Sequence, residues 1–334
     1  TMLGTGSLVI VSDSSSHDFS NITVSKGTGT VTLDVNINKD ISASNINNII
    51  DKFDVASGST LTLSNSQFGI HSGIGTGTLK LSDTTLTGTQ IKTINDNSTN
   101  AIDLTNVTTI STATSSEMLE IVNNTNSTFT TAANYAVTLS GISSASDVNT
   151  IVNDTTGIVT ATVTEATAAS LNSALTNTTG NDALTLTVTG TAAATDLTAL
   201  DGKTSVNVNA ASISLLTGTI AQVQAAYTAN TAGTITGLGD EAVTVTDVTL
   251  SSTDLTSLDL NTYGTITLSN ATTINVSNGE TLNLNNFTLS NSLTINDSTG
   301  NENITGTSNS DTLNLNGGND TVNLGEGSDT VNVN

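Results

Sequence analysis

Four acidic residues near the C-terminus, Glu302, Asp311, Asp320 and Asp329, stand nine residues apart. Each is followed two positions later by an aliphatic residue, namely Ile304, Leu313, Val322 and Val331. The last two copies lie in glycine-rich runs, Gly317-Gly318-Asn319-Asp320-Thr321-Val322-Asn323 and Gly325-Glu326-Gly327-Ser328-Asp329-Thr330-Val331-Asn332. A hard cation such as Ca²⁺ takes about six to eight oxygen ligands. Carboxylates at a fixed period, beside glycines that let backbone carbonyls come close, offer such a set. The aliphatic two residues on is expected to point into a core. The acids, one half-coil apart, are expected to line up along one edge when coils stack.

Other chemistry is thinly provided. The chain of 334 residues has no Cys, and its six basic residues are all Lys. Thiolate nucleophiles, disulfides, Cys-zinc sites and guanidinium clamps are therefore excluded. The two histidines, His17 and His71, sit among Ser and Gly with no periodic partner. Acid pairs such as Asp51 with Asp54, or Asp240 with Glu241, read as solvated turns or loop ligands rather than a sugar-cleaving pair. No Walker loop, dinucleotide fingerprint or zinc-ligand spacing is present. The chain is read as not an enzyme. A net charge of −23 with unclustered lysines argues against nucleic acid as a partner. No apolar run approaches the roughly 18 residues needed to span a membrane.

The elements that must position the acids follow from internal repeats. A Ser/Thr, a polar residue, an aliphatic, two free positions and another aliphatic recur at Ser44–Ile49, Thr89–Ile94, Ser146–Ile151, Thr195–Leu200 and Thr253–Leu258. Weaker copies lie near Gln67-Phe68, Glu117-Met118-Leu119, Ser170-Leu171 and Gln222-Val223. The i, i+3 aliphatics predict one turn of helix with an inward face, and the leading Ser/Thr reads as its N-cap. Between copies run alternating strands such as Val31–Ile37, Ala136–Leu139, Leu184–Thr189 and Ala242–Thr246. One strand and one helical turn recurring about every 26 residues mark a solenoid. Stacked coils build a narrow core of Val, Ile, Leu and Ala, which suits a chain with three Tyr, five Phe and no Trp. The absence of Pro fits strands whose every N–H is needed by a ladder. The expected fold is all-β, a parallel β-solenoid (β-helix) with short helical turns. Residues 1–264 are expected to form the solenoid of about 26-residue coils, and 265–334 a tighter solenoid.

The nine-residue acid spacing resembles the RTX nonapeptide family, whose repeat is G-G-x-G-x-D-x-U-x. The match covers roughly the last tenth of the chain. It departs from the family where Glu302 replaces Asp and where the segment before Asp311 lacks Gly, so Asp320 and Asp329 are the closest copies. The resemblance implies a C-terminal parallel β-roll that binds Ca²⁺ through Glu302, Asp311, Asp320, Asp329, Gly317, Gly318, Asn319, Gly325 and Gly327. Segments such as Leu216–Val223 and Ile235–Val245, with the acidic, Cys-free composition, are similar to very large bacterial surface proteins and calcium-dependent S-layer proteins. That likeness implies type I secretion to the bacterial cell surface and self-association into a lattice or filament. Cell-surface polysaccharide is a further partner it implies. The function so indicated is structural, a self-assembling extracellular building block stabilised by calcium. Two alternatives remain, an adhesin on the cell surface and the non-catalytic part of a secreted RTX enzyme or effector.

Overall fold

A computed structural model of the chain describes residues 7–19, 28–44, 50–69 and 71–333. The chain is mostly parallel β-sheet with some helices, and every strand pairing recorded for it is parallel. It divides into two compact units, Thr1–Val163 with Asn181–Leu184, and Thr164–Gly180 with Thr185–Asn334.

In the first unit one sheet orders Leu8–Ser12, Val31–Val35, Lys52–Val55 and Ser72–Gly75. A second runs from Lys39–Asp40 through Thr60–Leu63, Thr78–Leu81 and Ala101–Leu104 to Phe129–Thr131. A third includes Thr85–Leu86, Thr109–Ala113, Ala136–Ser143 and Val159–Val163. Alternation explains their burial. Val31, Leu33 and Val35 are buried while Thr32 and Asp34 between them are half-exposed. Register then stacks like on like. Leu61 pairs with Leu79 and Leu79 with Ile102, a buried column in which each member contributes about 1.5–3 kcal/mol.

The second unit also has three sheets. Thr187–Ala193, Val208–Gly218, Ala242–Val245, Ile266–Leu268 and Phe287–Leu289 form one, with Ile235–Thr236 also paired to Val208–Gly218. Thr249–Ser251, Thr273–Asn275, Thr294–Asn296, Thr312–Leu315 and Thr330–Val333 form the next. Thr281–Asn283, Asn303–Thr307 and Thr321–Gly325 form the third. The advance from strand to strand shortens by degrees. Leu215 pairs with Ala242, Val243 with Ile266, Ile266 with Phe287 and Thr294 with Thr312, steps of 27, 23, 21 and 18 residues.

The recurring i, i+3 segments lie in helices. Ile91 and Ile94 are buried in Gly88–Asp96, Val148 and Ile151 in Ala145–Asp154, Leu197 and Leu200 in Ala194–Asp201, Leu255 and Leu258 in Ser252–Asp259. The weaker copies fall in Asn65–Phe68, Ser115–Val122, Ala168–Ala174 and Ile220–Ala232. Of the first copy, Ser44–Ile49, residues 45–49 lie outside the described residues. The cap assignment is corrected. Thr87, Ser144 and Ser251 hold the extended backbone and the side-chain bond of an N-cap, two residues before Thr89, Ser146 and Thr253. In the Thr195 copy the cap position is Ala193, which makes no such bond. Thr87, Thr114, Thr219 and Ser64 complete reciprocal capping boxes with Gln90, Glu117, Gln222 and Gln67. Among the described residues no helix begins after Ser252–Asp259.

Candidate metal centre

The acids of the nine-residue repeat do not share one edge. Glu302 and Asp320 precede strands of one sheet, in which Ile304 pairs with Val322. Asp311 and Asp329 precede strands of another, in which Leu313 pairs with Val331. One full repeat here is 18 residues, so a nine-residue step carries the chain to the opposite sheet. The acids form two rows of alternate members.

In both rows the carboxylate accepts a backbone N–H one repeat earlier. Glu302 N–H donates to Asp320 Oδ1 at 2.9 Å, Asp311 N–H to Asp329 Oδ1 at 2.9 Å, and Leu293 N–H to Asp311 Oδ1 at 2.9 Å. Gly279 N–H donates to Glu302 Oε1 at 2.6 Å. A charged acceptor on an amide is worth roughly 1.5–3 kcal/mol, so these acids clamp successive repeats together.

The glycines of the motif serve close approach. Gly318 has φ +127°, and a Cβ there would lie 1.5 Å from the Gly300 carbonyl oxygen. Gly327, at φ +118°, would meet Asn309 O at 2.5 Å. Gly325 packs in the same manner on Thr307, whereas Gly317 faces open space. Asn319 donates its N–H to Asn301 Oδ1 at 2.8 Å.

The two rows differ in what lies behind the clamp. Asp311, 1% exposed, has both oxygens engaged: Oδ2 accepts the Thr307 N–H at 3.1 Å and the Thr307 hydroxyl at 2.7 Å. In the other row, Asp297, Glu302 and Asp320 bring one oxygen each to within 4.8 Å of one another. Asp297 is 6% and Glu302 2% exposed. Asp297 Oδ2 accepts the Asn316 N–H at 3.1 Å, but Asp297 Oδ1, Glu302 Oε2 and Ser298 Oγ are buried without a hydrogen-bond partner.

Burial, reinforced by the Glu302 carboxylate, pushes Asp297 above the usual carboxylate range. Burial acts on Glu302 in the same direction, but hydrogen bonds led by the Gly279 N–H outweigh it and hold Glu302 below that range. At an effective dielectric of about 20, two like charges at this separation repel by roughly 3–4 kcal/mol. No Lys, Arg or His follows Lys203 in the sequence. One oxygen from each of the three carboxylates is placed where a metal ion could be held.

Sequence reasoning found Glu302 and Asp320 but missed Asp297, which falls between the nine-residue positions. The acid pairs considered for catalysis have structural partners. Asp51 Oδ2 accepts the Val31 N–H at 2.8 Å, and buried Glu241 accepts the Tyr227 hydroxyl and the Gly239 N–H. His71 stands edge-on to Phe53. Comparison with protein-family models, curated proteins and solved structures finds no match to this chain.

Proposed function

We propose that each unit is a parallel β-solenoid and that the protein is a calcium-stabilised structural building block, exported to the bacterial surface and self-assembling there. The observation that carries the calcium link is the Asp297–Glu302–Asp320 cluster, of which Asp297 and Glu302 are buried. Its acids belong to successive repeats, in a segment without a basic residue. A cation held there would tie one repeat to the next and stabilise the folded state by mass action. In-register parallel strands and helices set between them support the solenoid reading. No helix of the described residues is long and apolar enough to cross a membrane. Electron microscopy and circular dichroism of the protein in Ca²⁺, then in EGTA, test the proposal. Sheets or filaments that dissolve on chelation are expected; a fold and an assembly state indifferent to Ca²⁺ would overturn it.

A second reading, an adhesin for surface polysaccharide, is favoured by one feature. Tyr263 is 96% exposed beside a depression of about 470 Å³ lined by Asp259, Thr262, Thr265 and Asn286. An open ring next to amide and hydroxyl groups is a platform for a sugar. Retardation in gels containing soluble bacterial polysaccharide, lost in Tyr263→Ala, would select this reading.

A further inference from the structure

Within residues 265–333, the buried acids at the heads of strands act as clamps on the preceding repeat. Asp297 is an addition to that scheme. Counting back from Glu302 along G-G-x-G-x-D-x-U-x, Asp297 and Ser298 stand in the places of the two leading glycines. One row has therefore gained a carboxylate inside its turn, and its Asp297 Oδ1 is buried with no hydrogen-bond partner. In the other row the corresponding places hold Gly306, which brings no side-chain oxygen, and Thr307, whose N–H and hydroxyl both donate to Asp311. Donors occupy the very oxygen that a cation would need.

Building on the calcium reading above, we propose that the two rows are not equivalent. One divalent cation, Ca²⁺ by its demand for many oxygens, binds between Asp297, Glu302 and Asp320, and the Asp311 turn is closed by hydrogen bonds and takes none. The second row is preassembled, since its carboxylate is satisfied by donors without an ion. The first leaves Asp297 Oδ1 and Glu302 Oε2 without hydrogen-bond partners, for an ion to complete.

Calcium titration of the full chain by calorimetry, paired with hydrogen exchange of individual amides, tests this. Calcium is expected to slow exchange of the Gly279 and Glu302 amides, which bond to Glu302 and Asp320. The Leu293 and Thr307 amides, which bond to Asp311, are expected to change less than about twofold. Asp297→Asn is expected to weaken the tightest calcium site at least about tenfold while leaving the clamps in place. Thr307→Val, which keeps the Asp311 carboxylate but removes a donor, is expected to leave that affinity unchanged. Equal protection of both rows, or wild-type calcium affinity in Asp297→Asn, would overturn the inference and leave calcium stabilisation standing. Absence of any calcium binding would overturn both.

Discussion

The second unit contains two kinds of repeat, and they share a core while closing their turns differently. From Thr187 to Asp259 strands alternate with the helices Ala194–Asp201, Ile220–Ala232 and Ser252–Asp259. From Ile266 onward the described residues are strands and turns. The inward columns continue without a break, Val245 on Leu268 on Leu289 in one sheet and Ile274 on Ile295 on Leu313 in the next. The sheets keep their buried aliphatics, and the loss of nine residues per repeat, from 27 to 18, goes with the loss of the helix and of long strands such as Val208–Gly218. In the helical repeats, chain ends are closed locally, by boxes such as Thr219 with Gln222. There the acid of the next repeat also meets a helix start: Asp247 Oδ2 accepts the Ile220 N–H at 2.7 Å, where the helix dipole favours negative charge. In the helix-free repeats the same acid meets backbone outside any helix, and Asp311 also closes its own turn through Thr307. Both kinds of repeat are clamped to the one before, but a long one closes its turn with an exposed capping box and a short one with a buried acid.

The largest effect that could break this contrast is at Asp311. Asp311→Ala removes the acceptor of the Leu293 N–H, the Thr307 N–H and the Thr307 hydroxyl in a buried place. Leaving such donors unpaired is expected to cost about 3–5 kcal/mol in the C-terminal repeats. Hydrogen exchange at Leu293 and Thr307 should accelerate by at least about a hundredfold, with the helices around residue 220 unaffected. A loss under about 1 kcal/mol would mean that the clamps are incidental to stability.

Much of this division was readable beforehand, for a physical reason. The i, i+3 aliphatic pairs marked the helices because a one-faced turn needs that spacing, and the alternating runs marked the strands. An acid two residues before an inward aliphatic is a wider signal than the nine-residue period. Asp51 before Phe53 and Asp182 before Leu184 make the same clamp on Val31 and Val159. The motif reports a strand head first and a metal only where further oxygens join it. The cap position was misplaced because Ser or Thr occurs at both candidate places, as at Thr87 and Thr89, and only the backbone angles choose between them. The two rows were not separable from spacing, since a period along the chain does not say which sheet each half-repeat enters. Asp297 was passed over because it breaks the period, although that is what makes it an extra ligand rather than another clamp.

A smaller effect belongs to the helical repeats. Thr219→Ala removes the hydroxyl that accepts the Gln222 N–H, while the Thr219 N–H still reaches Gln222 Oε1 at 2.9 Å. The expected cost is about 1 kcal/mol, because water reaches the freed amide and the second half of the box survives. Urea denaturation followed by helix signal would measure it. A cost equal to that of Asp311→Ala would erase the distinction between turns closed by an exposed box and turns closed by a buried acid.

The smallest expected effect concerns a ladder confined to the helix-free repeats. Asn332 Nδ2 donates to Asn314 Oδ1 at 2.9 Å, Asn314 to Asn296 at 2.8 Å and Asn296 to Asn275 at 2.9 Å. It is a second contact between repeats, but it runs on the outer face, where water competes for every amide. Asn296→Ala cuts two of its bonds yet leaves no buried group unpaired, so about 0.5–1 kcal/mol is expected. Asn296→Thr, which keeps a β-branched residue on a strand, should recover part of it. The order Asp311, Thr219, Asn296 follows from burial of the atoms left behind rather than from the number of bonds cut. A larger loss at Asn296 than at Thr219, in the same urea series, would show that the outer ladder and not the buried acid row is what joins the short repeats.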